Sequence, residues 1–191
     1  DLAMAAPMNA GPLFFIVRKD SPIRTVADLR GRRVVPGAER SGMVQHVHTI
    51  FGVLGISFDS FTPVHMGFDE GADALIAGDI DAQFQPPIPN RIMTDLSQRA
   101  DVRVVPYASG QLDKVLNEVP FYRKVKMQRG VFRGVVEDVI QPAVINVLVT
   151  HERISENIVH DMTKAIVDNL HRLPEMNPLF KGLGDLFEPL R

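Results

Sequence analysis

The chain has 191 residues, 21 basic and 23 acidic side chains, a formal net charge of −2 and no cysteine. That length allows one full domain or two small lobes with a real core. Near-neutral charge excludes a nucleic-acid binder that relies on bulk electrostatics. The lack of cysteine excludes disulfides, thiolate metal sites and cysteine catalysis.

No run approaches the roughly eighteen consecutive apolar residues of a membrane helix. The chain opens on Asp1 with neither a basic region nor an apolar stretch of the signal-peptide kind, so it is expected to be a processed or trimmed product.

In chain order, residues 1–11 are small and turn-rich, an entering loop or strand. Residues 12–18 (PLFFIVR) are continuously apolar, the pattern of a strand buried on both faces. The stretch from residue 25 to 54 is the one around which the other elements are arranged. Thr25 caps a short helical turn with Asp28 three residues on, and Gly31 closes it. Residues 32–35 form a strand broken by Pro36 and Gly37. A polar turn over residues 38–42 then feeds a helix with Met43, Val47, Ile50, Phe51 and Leu54 on one face, ended by Gly55.

Further on, strands are expected at residues 61–65, 80–85 and 102–105, with helices at 68–77 and 90–98 between them. This alternation implies a mostly parallel sheet with helices on both faces. Residues 111–119 read as helix and 121–127 as extended chain. Residues 143–150 (AVINVLVT) read as another buried strand. The longest helix is expected at 155–173, with Val159, Met162, Ile166, Leu170 and Leu173 facing a core. Short helical pieces and loops complete the chain, through Pro174, Pro178, Gly182 and Pro189.

A strand leading through a small-residue turn into a helix makes an anion pocket, because the first helical N–H groups have no internal partner. Ser41 adds a hydroxyl there, and Gly42 allows close approach to the backbone. The same stretch reads equally well as an ordinary strand–helix unit with a serine cap and nothing bound.

Other constellations carry less. His46 and His48 are two apart on a helix, so they point about 200° apart and cannot share an ion. His65, His151, His160 and His171 show no ligand spacing, and the acids at 69, 70, 73, 79 and 81 lack the calcium-loop pattern. Arg123, Lys124, Lys126, Arg129 and Arg133 form a basic run that reads as a solvated surface rather than a nucleic-acid patch. No nucleophile elbow, phosphate loop or dinucleotide fingerprint is present, so no enzyme, metal or cofactor is expected.

Several segments together resemble one family. They are PLFFIVRKDSPIRTVADLRGRRVVPGAERSG, FDEGADALIAGDIDAQF, PFYRKV, RGVF and the AVINVLVT strand before its helix. The chain resembles the TAXI-type solute receptors of tripartite ATP-independent periplasmic (TRAP) transporters over nearly its whole length. The resemblance implies an α/β, type II periplasmic-binding-protein-like fold, with one complete lobe and part of a second. Residues 1–22 would form the hinge and part of lobe one, and residues 23–106 lobe two. Residues 107–140 would be its extension and hinge return, and residues 141–191 the C-terminal part of lobe one.

It further implies a periplasmic receptor that closes on a small anionic ligand, an amino acid or dicarboxylate such as glutamate, and delivers it to TRAP permease subunits in the membrane. Ser41, Gly42 and Met43 would meet the carboxylate, with Gln85, Pro86, Asn90 and Tyr122 lining the pocket. Met43, Pro86-Pro87 and Phe132 depart from the family's hydroxyl, glycine-containing turn and tyrosine. These departures point to a ligand larger or more apolar than glutamate.

Because family receptors carry more chain before this start, strands 12–17 and 143–150 would have unpaired edges. The chain would then be part of a longer receptor or pair with a second copy. The competing expectation is a phosphoribosyltransferase- or dehydratase-like enzyme, or the effector domain of a regulator, on the same fold.

Overall fold

The computed structural model describes residues 1–187. Strands β1 (Leu2–Pro12) and β2 (Phe14–Arg18) open the chain, and a 3-10 turn at Val26–Leu29 leads to β3 (Arg33–Val35) and α1 (Gly42–Val53). Then come β4 (Thr62–Pro63), α2 (Phe68–Ala77), β5 (Ala82–Gln85), α3 (Arg91–Arg99), β6 (Val102–Val104) and α4 (Gln111–Glu118). Strands β7 (Tyr122–Met127) and β8 (Val139–His151) precede α5 (Glu156–Asp168), α6 (Leu173–Met176) and α7 (Leu183–Phe187). The chain divides into two compact units. Residues 1–11 with those from Val144 onward form the first, and Pro12–Ala143 the second. Strands β1, β8 and β7 pair in the order β1-β8-β7.

The second unit is built on a five-stranded sheet in the order β4-β3-β5-β2-β6. Strand β3 pairs in parallel with β4 and β5, whereas β2 runs antiparallel between β5 and β6. Four strands therefore share one direction and β2 opposes them, which makes the sheet mixed. The alternation of strands and helices could not show this, because β2 precedes the first strand–helix unit.

Phe14, Phe15, Ile16 and Val17 are all fully buried, as a strand covered on both faces requires. Phe14 and Ile16 face a cluster with Ala72 and Leu75 of α2 and Met93 and Leu96 of α3. Phe15 faces the other way, its ring 5.6 Å from Phe51 of α1 and 4.7 Å from Phe84 of β5. Helices thus cover both faces. Far from presenting an unpaired edge, residues 14–18 are hydrogen-bonded to a strand on either side, β5 and β6.

Local signals hold at the element ends. The Asp28 carboxylate accepts from the Thr25 N–H at 2.8 Å and the Arg24 N–H at 2.9 Å. Gly78 takes the left-handed conformation, with φ 85°, that ends α2. Arg33 and Asp81 pair through both guanidinium and backbone N–H, and this holds the Asp81 carboxyl below the usual carboxylate range. Strand β4 spans only two residues of the expected 61–65, because it pairs with β3 alone.

The first unit departs further from expectation. Strand β8 begins at Val139 rather than 143, and its apolar run is not buried: Ile145, Val147 and Val149 are 36, 40 and 52% exposed. A continuous apolar run predicts two covered faces only where covering elements exist. Helix α5 stops at Asp168, capped by Asn169, and has no buried residue. Asp and Asn are poor helix formers, and Asn tolerates a helix end. Leu170 and Leu173 thus lie beyond α5, where with Ile166 they pack against Ala6, Leu183 and Phe187. The expected turn at Pro189 lies outside the described residues.

A glycine pair tests the packing of the second unit. A Cβ on Gly71 would stand 2.5 Å from the Gln83 amide nitrogen and 3.3 Å from Val35, whereas one on Gly52 meets nothing within 4 Å. Gly71→Ala is expected to destabilise by about 1–3 kcal/mol, and Gly52→Ala to stabilise by about 0.5–1 kcal/mol. Urea denaturation of the two variants checks this, and equal effects would contradict the packing described.

Candidate functional site

The carboxyl ends of β3, β4, β5 and β6 share one edge of the five-stranded sheet, together with the start of the opposing β2. Ligands of open α/β sheets bind outside that edge. Val35 is level with Gln83, so two residues further along both strands Gly37 comes level with Gln85. Gly37 has φ 129°, and a Cβ there would meet Ser41 Oγ at 2.9 Å and Met43 Cβ at 3.0 Å. Only glycine lets the chain fold this closely onto the helix start. Arg40, in the same turn, is the one non-glycine residue with positive φ among those described, at 60°.

The expected side chains are placed as follows. Ser41 caps α1, its hydroxyl accepting from the Val44 N–H at a long 3.4 Å. Gly42 is exposed and Met43 half-buried just ahead of it. Gln85 is fully buried at the end of β5 and donates to Gln83 Oε1 at 2.8 Å; Gln83 in turn donates to the Phe68 carbonyl at 2.9 Å. Pro86 is half-buried just beyond. Asn90 caps α3, accepting from Met93 N–H at 2.8 Å and donating to the Pro87 carbonyl at 2.9 Å, so its polar atoms are already occupied. The Tyr122 hydroxyl is bonded to His46 Nδ1 at 2.9 Å, which attaches Tyr122 to the second turn of α1.

Other residues reach this edge without any signal in sequence. His65 follows β4 and its Nδ1–H donates to the Gly37 carbonyl at 3.3 Å. Tyr107 follows β6, its hydroxyl buried without a partner. Gln141 precedes Pro142, whose carbonyl accepts from Leu13 N–H at 2.7 Å, beside the start of β2. His46 and His48 diverge as their spacing requires, His48 stacking on Phe58 instead.

Burial sets the electrostatics. It lowers the His46 pKa and pushes the Tyr122 hydroxyl up to about 12. Around the basic run, Lys126 pairs with Asp138, Arg133 pairs with Asp101, and Arg123 donates to the Pro120 carbonyl. Two open clefts border β6, lined by Arg24, Arg103 and Glu137 and by Tyr107, Leu112 and Asp138. Neither includes Ser41, which stands where the turn after β3 meets the start of α1 at the sheet edge.

Residues 1–185 match the NMT1-like family. The chain belongs to that family. Among solved structures it is similar to the periplasmic aliphatic sulphonate binding protein SsuA from Escherichia coli, at 16% identity and a TM-score of 0.52, over 97% of this chain and 55% of that one. It is similar to an ancestral arginine-binding protein bound to arginine at 14% identity and TM-score 0.51, over 96% of this chain and 63% of that one. It is also similar to the effector binding domain of QuiR in complex with shikimate, at 10% identity and TM-score 0.51, over 86% and 63%. The fold is that of periplasmic solute-binding proteins, and the chain spans 55 to 63% of the length of these three.

The His46 environment carries a pH signature. A histidine whose pKa is lower in the folded than in the unfolded chain contributes stability above its unfolded pKa of about 6.5, and that contribution is lost as pH falls below it. Wild-type stability is therefore expected to drop between about pH 7.5 and 5.5 more than that of His46→Gln. Denaturation curves at the two pH values check this. Equal drops would mean that His46 is solvated in the folded protein.

Proposed function

We propose that this chain holds the ligand-binding site of a periplasmic solute receptor of the TAXI type, which takes a small carboxylate and presents it to the permease subunits of a TRAP transporter. The observation that supports this best is the start of α1. Ser41 caps only Val44, so the first N–H groups of the helix, at Gly42 and Met43, have no intrahelical acceptor and stand at the carboxyl edge of the sheet. In this reading Gln85, Pro86 and Tyr122 border the ligand, and Asn90 holds the turn that carries Pro86. Membership of the NMT1-like family and the binding-protein fold agree with a receptor rather than an enzyme. No helix among the described residues is long and apolar enough to cross a membrane.

The effector domain of a regulator would use the same edge, as the likeness to the QuiR domain illustrates for the fold. The gene sequence upstream separates the two. A signal peptide supports the receptor, and a basic helix-turn-helix segment supports the regulator.

Thermal denaturation of the full-length protein against amino acids, dicarboxylates and hydroxy acids tests the reading. A ligand at a hundredfold its dissociation constant stabilises by about 2.7 kcal/mol, and no shift with any of them would count against a carboxylate site. Ser41→Ala is expected to weaken binding by about 1.5–3 kcal/mol, the worth of one charge-assisted hydrogen bond. If Ser41 serves only as a cap, calorimetry will show unchanged affinity while stability falls by about 1 kcal/mol.

A further inference from the structure

The outermost strand of a sheet presents N–H and C=O groups that no neighbouring strand pairs, and proteins usually cover or charge them. Strand β6 is such an edge, since it pairs with β2 alone. The Val105 N–H donates to the Phe15 carbonyl at 2.9 Å and the Lys19 N–H to the Asp101 carbonyl at 2.8 Å. In the register of these strands, the odd-numbered residues here therefore bond to β2, and the backbone groups of Val102 and Val104 point outward. Gly134 closes one end of that outer edge, where a Cβ would collide with the Val102 carbonyl oxygen. At the other end the Pro106 carbonyl accepts from the Val26 N–H at 3.1 Å. Between them, the Val104 N–H and C=O have no partner among the described residues.

The two clefts beside β6 meet at this gap. Val104, Pro106, Glu137 and Val139 line both, so the clefts form one groove. Arg24 and Arg103 stand together at one end of it. Arg103 donates to the Ser21 and Ile23 carbonyls, and neither arginine is paired with an acid among the described residues. Burial and the neighbouring Arg24 charge both lower the Arg103 pKa, as expected for two guanidinium groups with no anion between them. Of the acids along the groove, Asp138 is paired with Lys126 and Glu137 is exposed.

The two features call for different parts of one partner. A simple carboxylate or inorganic anion could accept from the Val104 N–H but would leave the Val104 C=O unpaired. A peptide unit supplies both an acceptor and a donor, which is how extended peptides add to sheet edges. The unpaired arginines then select an acidic side chain at their end of the groove. Glu137 disfavours a second acid further along.

We propose that the groove beside β6 receives an extended acidic peptide segment of a partner protein, which pairs with Val104 and sets one carboxylate against Arg24 and Arg103. This needs nothing from the α1 start and would stand without a ligand there.

NMR titration of the nitrogen-15-labelled full-length protein tests it. The probes are the acetylated and amidated pentapeptide SVEVS, its lysine counterpart SVKVS, and free glutarate. The acidic peptide is expected to shift the amide resonances of Val104, Val135 and Val139 and to leave those of Gly42 and Met43 in place. The lysine peptide is expected to bind at least about tenfold more weakly. Only every second amide of an added strand faces its neighbour, so N-methylation of one alternate set of peptide amides should abolish binding and of the other set leave it unchanged. Arg24→Glu is expected to weaken binding at least about tenfold without lowering the melting temperature, because the exposed Arg24 side chain bonds to nothing among the described residues. No shift at Val104, equal binding of the lysine peptide, or equal loss from both methylated sets overturns the inference. So does glutarate acting on Val104 as strongly as the peptide, which would make the groove a site for small anions.

Discussion

Strand β2 sits antiparallel between two strands that run the other way, with every residue from Phe14 to Val17 out of contact with water. That placement ties the sheet together. Phe15 gathers α1 and β5 on one face through Phe51 and Phe84, while Phe14 and Ile16 gather α2 and α3 on the other. It also brings the start of β2 to the edge where its neighbours end. The buried end of β5 and the chain returning through Pro142 both meet that start. Displacing β2 would separate the groups that make up the candidate site.

Polar side chains at this edge are held in two ways. Gln83 and Asn90 satisfy themselves against nearby backbone and stiffen the frame. Gln85, Tyr107 and Gln141 each keep buried polar atoms without a partner. Each unpaired buried atom carries a desolvation cost.

The two units contrast in how far burial follows pattern. In the second, apolar periodicity and burial agree at nearly every element. In the first, β8 and α5 carry apolar residues at core spacing that remain exposed, such as Val149 and Met162. Its compact cluster forms instead from Ala6, Leu183 and Phe187, with Ile166, Leu170 and Leu173 around them. Periodicity records which face of an element is suited to burial. Whether that face is covered depends on which other elements reach it.

Several features were legible in the residues alone. The all-apolar run at 14–17, the capping at Thr25 and Ser41, the left-handed ends at Gly55 and Gly78, and the bounds of α2 are consequences of local chemistry, and local chemistry is what a sequence displays. The direction of β2 within the sheet, the exposure of β8 and the return of the chain through Pro142 beside Leu13 arise from pairings between distant segments, and no local pattern encodes them. Gln141 in particular is a lone amide before a proline, unremarkable by neighbourhood. Its burial near the start of β2 accompanies the Leu13–Pro142 hydrogen bond, which joins positions 129 apart in the chain.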